Sequence, residues 1–365
     1  MNDITIDKTG WKKWRFDEFA QNISERIEPS QTDLDVYVGL EHIDPDTLHL
    51  SRHGHPSDVE GTKLRFYKGD IIFGRRRAYQ RKTALATTDG ICSAHAMVLR
   101  AKEDVVDSSF FPFLFHSKQF IDMAITISVG GLSPTINWKD ISKQEFLLPP
   151  KSAHTRLAEL LWAADEMIEK EKKELEKVNY YFFTLQNNIF QSNFTKTKKL
   201  CDIANITMGQ SPIGTSYNEN KDGIPFLQGN SEFTDKYPIA VKYTTLPNKM
   251  ANTGDILMSV RAPVGAINIA DKSYCIGRGL CAIAAKSGNN DYLRFLLQSK
   301  KIEFDRISTG STFKAINSSD LKNLEVPSKE QDITSLLECE KSIKYIKNCI
   351  QYGKQLKQEL TNIIF

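Results

Sequence analysis

No stretch of this chain approaches the roughly 18 consecutive apolar residues needed to span a bilayer, so a membrane role is not expected. The opening Met1-Asn2-Asp3-Ile4 lacks a basic-then-apolar leader, and a cytoplasmic place is the expectation. The six cysteines include no Cys-x-x-Cys pair. They read as reduced thiols, mostly of cores and helix seams, rather than as zinc ligands or a disulfide framework. A net charge of +3 is too small to demonstrate a polyanionic partner, so local clustering must carry that argument. The phosphate-cradling Gly-x4-Gly-Lys-Ser/Thr is missing, and Ile276-Gly277-Arg278-Gly279 falls short of Gly-x-Gly-x-x-Gly. The carboxylates Asp17, Glu18, Glu41 and Asp44 have no nuclease-type Glu-x-Lys context. His42, His49, His53 and His55 sit beside Gly54 and Pro56, without cysteine or helical presentation. They read as a polar loop rather than a metal site.

What is present is a globular composition and a duplication. The 365 residues, 40% hydrophobic and 25% charged, suit two ordinary domains plus connecting helices. Gly69-Asp70-Ile71-Ile72 stands before an arginine-bearing strand, and Gly254-Asp255-Ile256-Leu257 repeats it 185 residues later. Ser128-Val129-Gly130-Gly131, with Ile136-Asn137 and Asp140-Ile141 after it, returns as Ser308-Thr309-Gly310-Ser311, Ile316-Asn317 and Asp320-Leu321. Leu185-Gln186-Asn187-Asn188-Ile189-Phe190 returns as Leu360-Thr361-Asn362-Ile363-Ile364-Phe365, now 175 residues on. The shrinking offset places short deletions in loops. A duplication of this length implies two similar units and a pseudo-two-fold molecule, which suits a two-part target.

Each copy ends in a heptad. After Pro149-Pro150, the positions Leu157, Leu161, Ala164, Ile168, Glu171, Leu175, Val178, Phe182, Leu185 and Ile189 step by alternating four and three. The charged run Glu169–Glu174 forms a solvated face between them. After Pro327 the same frame runs Leu336, Cys339, Ile343, Ile346, Ile350, Gly353, Lys357, Leu360, Ile364, weakened at Gly353 and Lys357. The spacing predicts two long helices whose narrow stripes pack on each other, antiparallel. The domains expected are residues 1–150, a central helix over 151–193, residues 194–327, and a C-terminal helix over 328–365.

In order and duplication these features resemble the specificity subunit of type I restriction–modification systems. The resemblance rests on the Gly-Asp-Ile strand, the Ser-x-Gly-x…Ile-Asn…Asp segment, the proline and the long helix, each occurring twice. The domain openings Phe16-x-x-Phe19-Ala20 and Leu200-x-x-Ile203-Ala204, and Gly209-Gln210-Ser211-Pro212 ahead of Gly223-Ile224-Pro225-Phe226-Leu227, add to it. The first copy departs from the pattern by lacking a clear Gly-x-Ser-Pro opening. The resemblance covers essentially the whole chain. It implies an α/β fold with two similar target-recognition domains separated by a long antiparallel helical coiled coil. It also implies a non-catalytic subunit that reads a split double-stranded DNA sequence, with the helices as a ruler between the halves. Two methyltransferase (modification) subunits would dock on the helices, and restriction or translocating subunits can join. No cofactor would be bound by this chain; S-adenosylmethionine would belong to the methyltransferase partner.

Side-chain chemistry independently favours a DNA reader. Arg75-Arg76-Arg77-Ala78-Tyr79-Gln80-Arg81-Lys82 gathers five cations around one aromatic and one amide, and no carboxylate occurs from Ile71 through Thr88. Arginine pairs bidentately with guanine edges and glutamine with adenine, while the remaining cations hold phosphates. A solvated basic loop is the bland alternative. The duplication argues against it, because Arg261 follows the second Gly-Asp-Ile strand where Arg76 follows the first. Gln210, Ser211, Tyr217, Asn218, Arg278 and Lys314 are the other candidates of the second copy, and different side chains at aligned positions imply different half-sites. A duplicated coiled-coil adaptor that binds only proteins is the competing function. A self-contained methyltransferase is a third, opposed by the missing Asn/Asp-Pro-Pro-Tyr/Phe motif; Leu148-Pro149-Pro150-Lys151 ends a domain instead.

Overall fold

The computed structural model describes residues 6–191, 196–308 and 315–365. Two compact units form. One comprises residues up to Glu174 together with Tyr345–Phe365; the other is Leu175–Lys344. The long helices are observed at Lys151–Phe190 and Thr334–Ile364, and each is divided between the units. The division follows packing, since the two ends of each heptad stripe enter different cores.

In the first unit, Lys12–Arg15 pairs antiparallel with Glu145–Leu148, so the domain is closed by its own ends. A four-stranded antiparallel sheet runs in the order 20–23, 97–101, 71–73, 83–85. The period of two along its central strands sends alternate side chains to two cores. Ile71, Phe73, Met97 and Leu99 join the phenylalanine-rich core that also takes Leu161, Ile364 and Phe365 from the helices. Ile72, Ala84 and Val98 face the other way, into a smaller core against a second sheet ordered 26–27, 63–66, 90–92, 37–38. Strand Tyr37–Val38 is parallel to Gly90–Cys92; the other pairings are antiparallel.

The second unit repeats this plan. Strands 204–208, 280–285, 256–259 and 267–269 form the four-stranded sheet. Ile256, Met258, Cys281 and Ile283 face the helix-side core with Phe190 and Leu336. Leu257, Leu280 and Ala282 face the smaller one. The copies diverge in the second sheet. Its parallel pair survives as Phe226–Leu227 beside Cys275–Ile276, but the edge carries the extra strands Tyr217–Asn218 and Lys242–Thr244. All six cysteines are free thiols, four of them buried. Among the described residues no helix is long and apolar enough to cross a membrane.

Within the first unit the two helices run antiparallel, and the weak points of the heptad have partners there. Gly353 sits where a Cβ would lie 3.0 Å from Ile168 Cγ1 and 3.1 Å from Met167 Cε, so glycine permits the close approach. Buried Lys357 donates to the buried Asp165 carboxylate, which also meets His49 Nε2 at 2.5 Å. His49 therefore turns toward the helix, contrary to the polar-loop expectation for the histidine cluster. Burial alone would raise the Asp165 carboxyl. The hydrogen bond from His49 and the charge and hydrogen bond of Lys357 outweigh it and hold the group at about 2. The same contact, chiefly its hydrogen bond, raises His49 against the opposing effect of its partial burial.

Candidate nucleic-acid interface

Each Gly-Asp-Ile segment is a turn that launches a buried strand. Gly69 and Gly254 take left-handed backbone angles, with φ of +93° and +89°. The following aspartate ties the turn shut: Asp70 accepts from Tyr67 N at 2.9 Å, and Asp255 from Asn252 N at 2.7 Å. Asp70 is also gripped by both forks of Arg100, at 2.7 and 2.9 Å. Among the described residues no arginine grips Asp255 in this way, and burial pushes its carboxyl up.

The strand then leaves the sheet, and in both units the same clip catches it. Ile136 N donates to Arg75 O at 2.9 Å, and Arg76 forms a backbone bridge with Thr135. In the second unit Ile316 N donates to Val260 O at 3.0 Å, and Arg261 bridges Ala315. The clip is rooted by buried Ile136 and Ile316, each followed by an asparagine that begins a short helix. Asn317 Oδ1 accepts from Asp320 N at 2.9 Å. The repeated Ile-Asn-x-x-Asp pattern is thus the anchor of an arginine-bearing loop, and it sets Arg76 and Arg261 at equivalent places.

In the first unit this loop displays Arg75, Arg76 and Arg77. Arg76 and Arg77 are exposed, and none of the three meets a carboxylate among the described residues. Their guanidinium contacts are long and neutral: Ala94 O at 3.3 Å, His95 Nε2 at 3.4 Å and Ser133 Oγ at 3.2 Å. Burial, then the charges of Arg76 and Arg75, lowers His95 from its ordinary value. Arg77 holds φ +58° and Arg81 φ +54°, an uncommon conformation for side-chain-bearing residues. These two positions turn the chain around Ala78–Gln80. Tyr79 stays 53% exposed, and Gln80 is half-buried. Arg81 is carried inward, to Asp46, His116 O (3.3 Å) and Gln358 Oε1 (3.0 Å). Lys82 Nζ donates to Leu40 O at 2.6 Å. The eight-residue cluster therefore divides into a displayed part and a part that braces the loop.

In the second unit, three of the candidates converge. Val260 N donates to Gly279 O at 2.9 Å, which puts Arg261 on the loop beside Arg278. Gln210 N donates to Ile276 O at 2.9 Å, which brings Gln210 to the other side of that turn. All three side chains are exposed, while Ser211 beside them is half-buried. Tyr217 and Asn218 lie elsewhere, on the extra edge strand. Tyr217 stacks on Phe226 at 4.9 Å and donates to Pro212 O at 3.0 Å. Asn218 closes a turn with Asp222 through bonds of 2.8 and 3.0 Å. Lys314, like Thr309–Ser311 of the repeated motif, lies outside the described residues. No motif in the sequence singles out His95 or Ser133. Only their place in loops that flank the repeated strands could draw attention to them.

No group of three His, Cys, Asp or Glu residues among those described is placed to hold a metal ion. The arrangement is a display of side chains. It presents cations, an amide and an aromatic from rigidly clipped loops.

The family profile of the type I restriction modification DNA specificity domain matches twice, over residues 11–180 and 193–362. The chain is 26% identical over 351 residues to the putative type I restriction enzyme MjaX specificity subunit of Methanocaldococcus jannaschii, covering 88% of this chain and 82% of that one. It is 28% identical over 191 residues to the EcoDI specificity subunit of Escherichia coli, covering 51% and 42% respectively. A solved chain from work on complex assembly and conformational transition of the type I R-M system superposes with a TM-score of 0.64 at 25% identity, covering 98% of this chain and 97% of that one. The S subunit of a type I restriction–modification system from M. genitalium gives 0.63 at 13% identity, with 100% and 98% covered, a likeness of fold alone.

Proposed function

This chain belongs to the type I restriction modification DNA specificity family, and from that premise we propose that it reads a bipartite double-stranded DNA target, one half per recognition domain. The observation that carries the proposal is the duplicated clip, which presents Arg76 in one unit and Arg261 in the other from the same backbone geometry. Residues 1–150 read the first half-site through Arg75, Arg76, Arg77, Tyr79 and Gln80, with Arg81 and Lys82 holding the loop in place. Residues 194–327 read the second through Gln210, Ser211, Arg261 and Arg278, with Lys314 on the segment that leads to the clip. Tyr217 and Asn218 shape the edge of that domain and contribute through its surface.

The chain does no chemistry of its own in this reading. Two modification subunits bind it and bring S-adenosylmethionine with them, restriction subunits can join, and the complex works in the cytoplasm. The exposed faces of the long helices support a protein partner. Tyr180, Tyr181 and Phe183 are 75%, 57% and 59% exposed in the second unit, and Tyr345 and Tyr352 are 70% and 68% exposed in the first. Apolar rings left this open on a helix are normally covered.

A selection experiment tests the proposal. The chain assembled with its modification subunits is offered a random duplex library, and bound DNA is recovered and sequenced. The expected result is two short defined elements at a constant separation, with no preference between them. Recovery without any sequence preference would favour an adaptor that binds only proteins.

A further inference from the structure

Beside the arginine loop of the first unit stands an apolar tip that the proposed base and phosphate contacts do not use. The segment Val129–Thr135 is closed by paired backbone bonds, Val129 N to Thr135 O at 3.0 Å and Thr135 N to Val129 O at 2.9 Å. At its end Leu132 is 94% exposed, the largest exposure of any large apolar side chain described. Val129 is 62% exposed, and Ile125, at the end of the preceding helix, 47%. A lone exposed leucine is ordinary on a protein surface, but this one is not placed at random. Arg77 N donates to Pro134 O at 2.7 Å, Arg77 Nη2 reaches Ser133 Oγ at 3.2 Å, and Arg76 bridges Thr135. The tip is therefore tied to the two exposed arginines, Arg76 and Arg77, on its C-terminal side. On its N-terminal side Gly130 takes φ +118°, and an added Cβ at Gly131 would meet no atom within 4 Å. Leu132 stands off from the body of its own unit, with cations at its base.

An apolar side chain held out beyond a cationic rim is complementary to one feature of duplex DNA. The phosphates lie outside, where the arginines meet them, and the base stack is the apolar surface within. Proteins that insert Leu, Ile, Phe, Met or Pro between base steps part the stack and kink the duplex, and the cost is lower at flexible pyrimidine–purine steps. We infer that Leu132 is a wedge that enters the base stack of the first half-site, flanked by phosphate contacts from Arg76 and Arg77. The inference rests on the assignment of this loop cluster to DNA. It adds a source of specificity that needs no hydrogen bond to a base, namely the ease with which one step opens.

The test uses the assembled complex with its modification subunits and target duplexes carrying 2-aminopurine at successive positions of the first half-site. Wild-type protein should brighten the probe at one step, and Leu132→Ala should abolish that signal. Affinity should fall about tenfold, with the salt dependence unchanged because the phosphate contacts remain. Leu132→Met, still long and apolar, should restore both signal and affinity. Since Leu132 is almost wholly exposed, neither change threatens the fold. Brightening that survives in Leu132→Ala would come from another subunit, and with unchanged affinity it would overturn the wedge. An Arg76→Ala, Arg77→Ala variant run in parallel separates the two levels. If it weakens binding and lowers the salt slope while Leu132→Ala does nothing, the DNA assignment stands and only the wedge fails. If it too has no effect, the assignment itself is wrong.

Discussion

Replacing Arg75, Arg76 and Arg77 together with alanine is expected to weaken binding of the assembled complex to its target by roughly two orders of magnitude. The three side chains share one clipped loop and meet no carboxylate among the described residues, so nothing described in the chain neutralises them before DNA arrives. Their internal contacts, at 3.2 to 3.4 Å to neutral groups, are weak enough to be exchanged for phosphates or guanine edges. Every arginine–phosphate pairing removed should lower the slope of log affinity against log salt by roughly 0.9. A salt series followed by fluorescence anisotropy reads both quantities. Unchanged affinity and slope would mean that the loop faces solvent in the complex. Arg81→Ala should act differently. Its bonds to Asp46, His116 O and Gln358 brace the loop, so stability falls and the salt slope barely moves.

The largest effect on stability is expected at the buried ion pair of the first unit. Asp165→Ala leaves Lys357 buried without its counter-charge and should cost about 3–5 kcal/mol. The double change Asp165→Leu with Lys357→Met removes both charges and should recover most of that loss. Thermal or denaturant unfolding of the three proteins checks the order. The pH dependence follows from the two shifts. Asp165 is held at about 2, below its ordinary 3.8, so its contribution is present above pH 3.8 and is lost as pH falls through about 2. His49 is raised above its ordinary 6.5, so its contribution is complete below that value and is lost as pH rises through the folded value. The ring is 41% exposed, and solvent screening keeps its share small. Stability from this cluster should therefore be flat from about pH 4 to 6.5 and decline modestly above. His49→Ala should remove that decline and, by withdrawing a hydrogen bond that lowers Asp165, move the acid limb toward higher pH.

Much of this fold is legible in the chain because periodicity and duplication are robust signals. The heptad stripe predicts two long helices, and every seam position it names is at least partly buried. Gly353 and Lys357 look like faults because a stripe read along one helix carries no information about what faces it. One is a close approach to Ile168, and the other pairs with Asp165, which lies off the predicted seam. The same blindness hides the role of His49, whose partner is 116 residues away. At the DNA-facing loop, sequence adjacency groups Arg75 through Lys82 into one cluster. The left-handed residues Arg77 and Arg81 reverse the chain within it, so neighbours in sequence point to different jobs. His95 is invisible because the repeat has no histidine at the matching place, and its role depends on a loop brought alongside by sheet pairing. The second sheet is the least legible part, since its strands are short and its edge differs between the copies.

The central claim is that each unit reads its own half of a split target. It is tested most directly by mapping methylated bases in a host that carries this chain and its modification partner, before and after residues 12–150 are exchanged for the matching segment of a relative. Two short half-sites around a spacer of fixed length are predicted, with the exchange replacing one half-site and leaving the other intact, because each unit folds around its own cores. A single uninterrupted site, or a change in both halves after the exchange, would contradict the account.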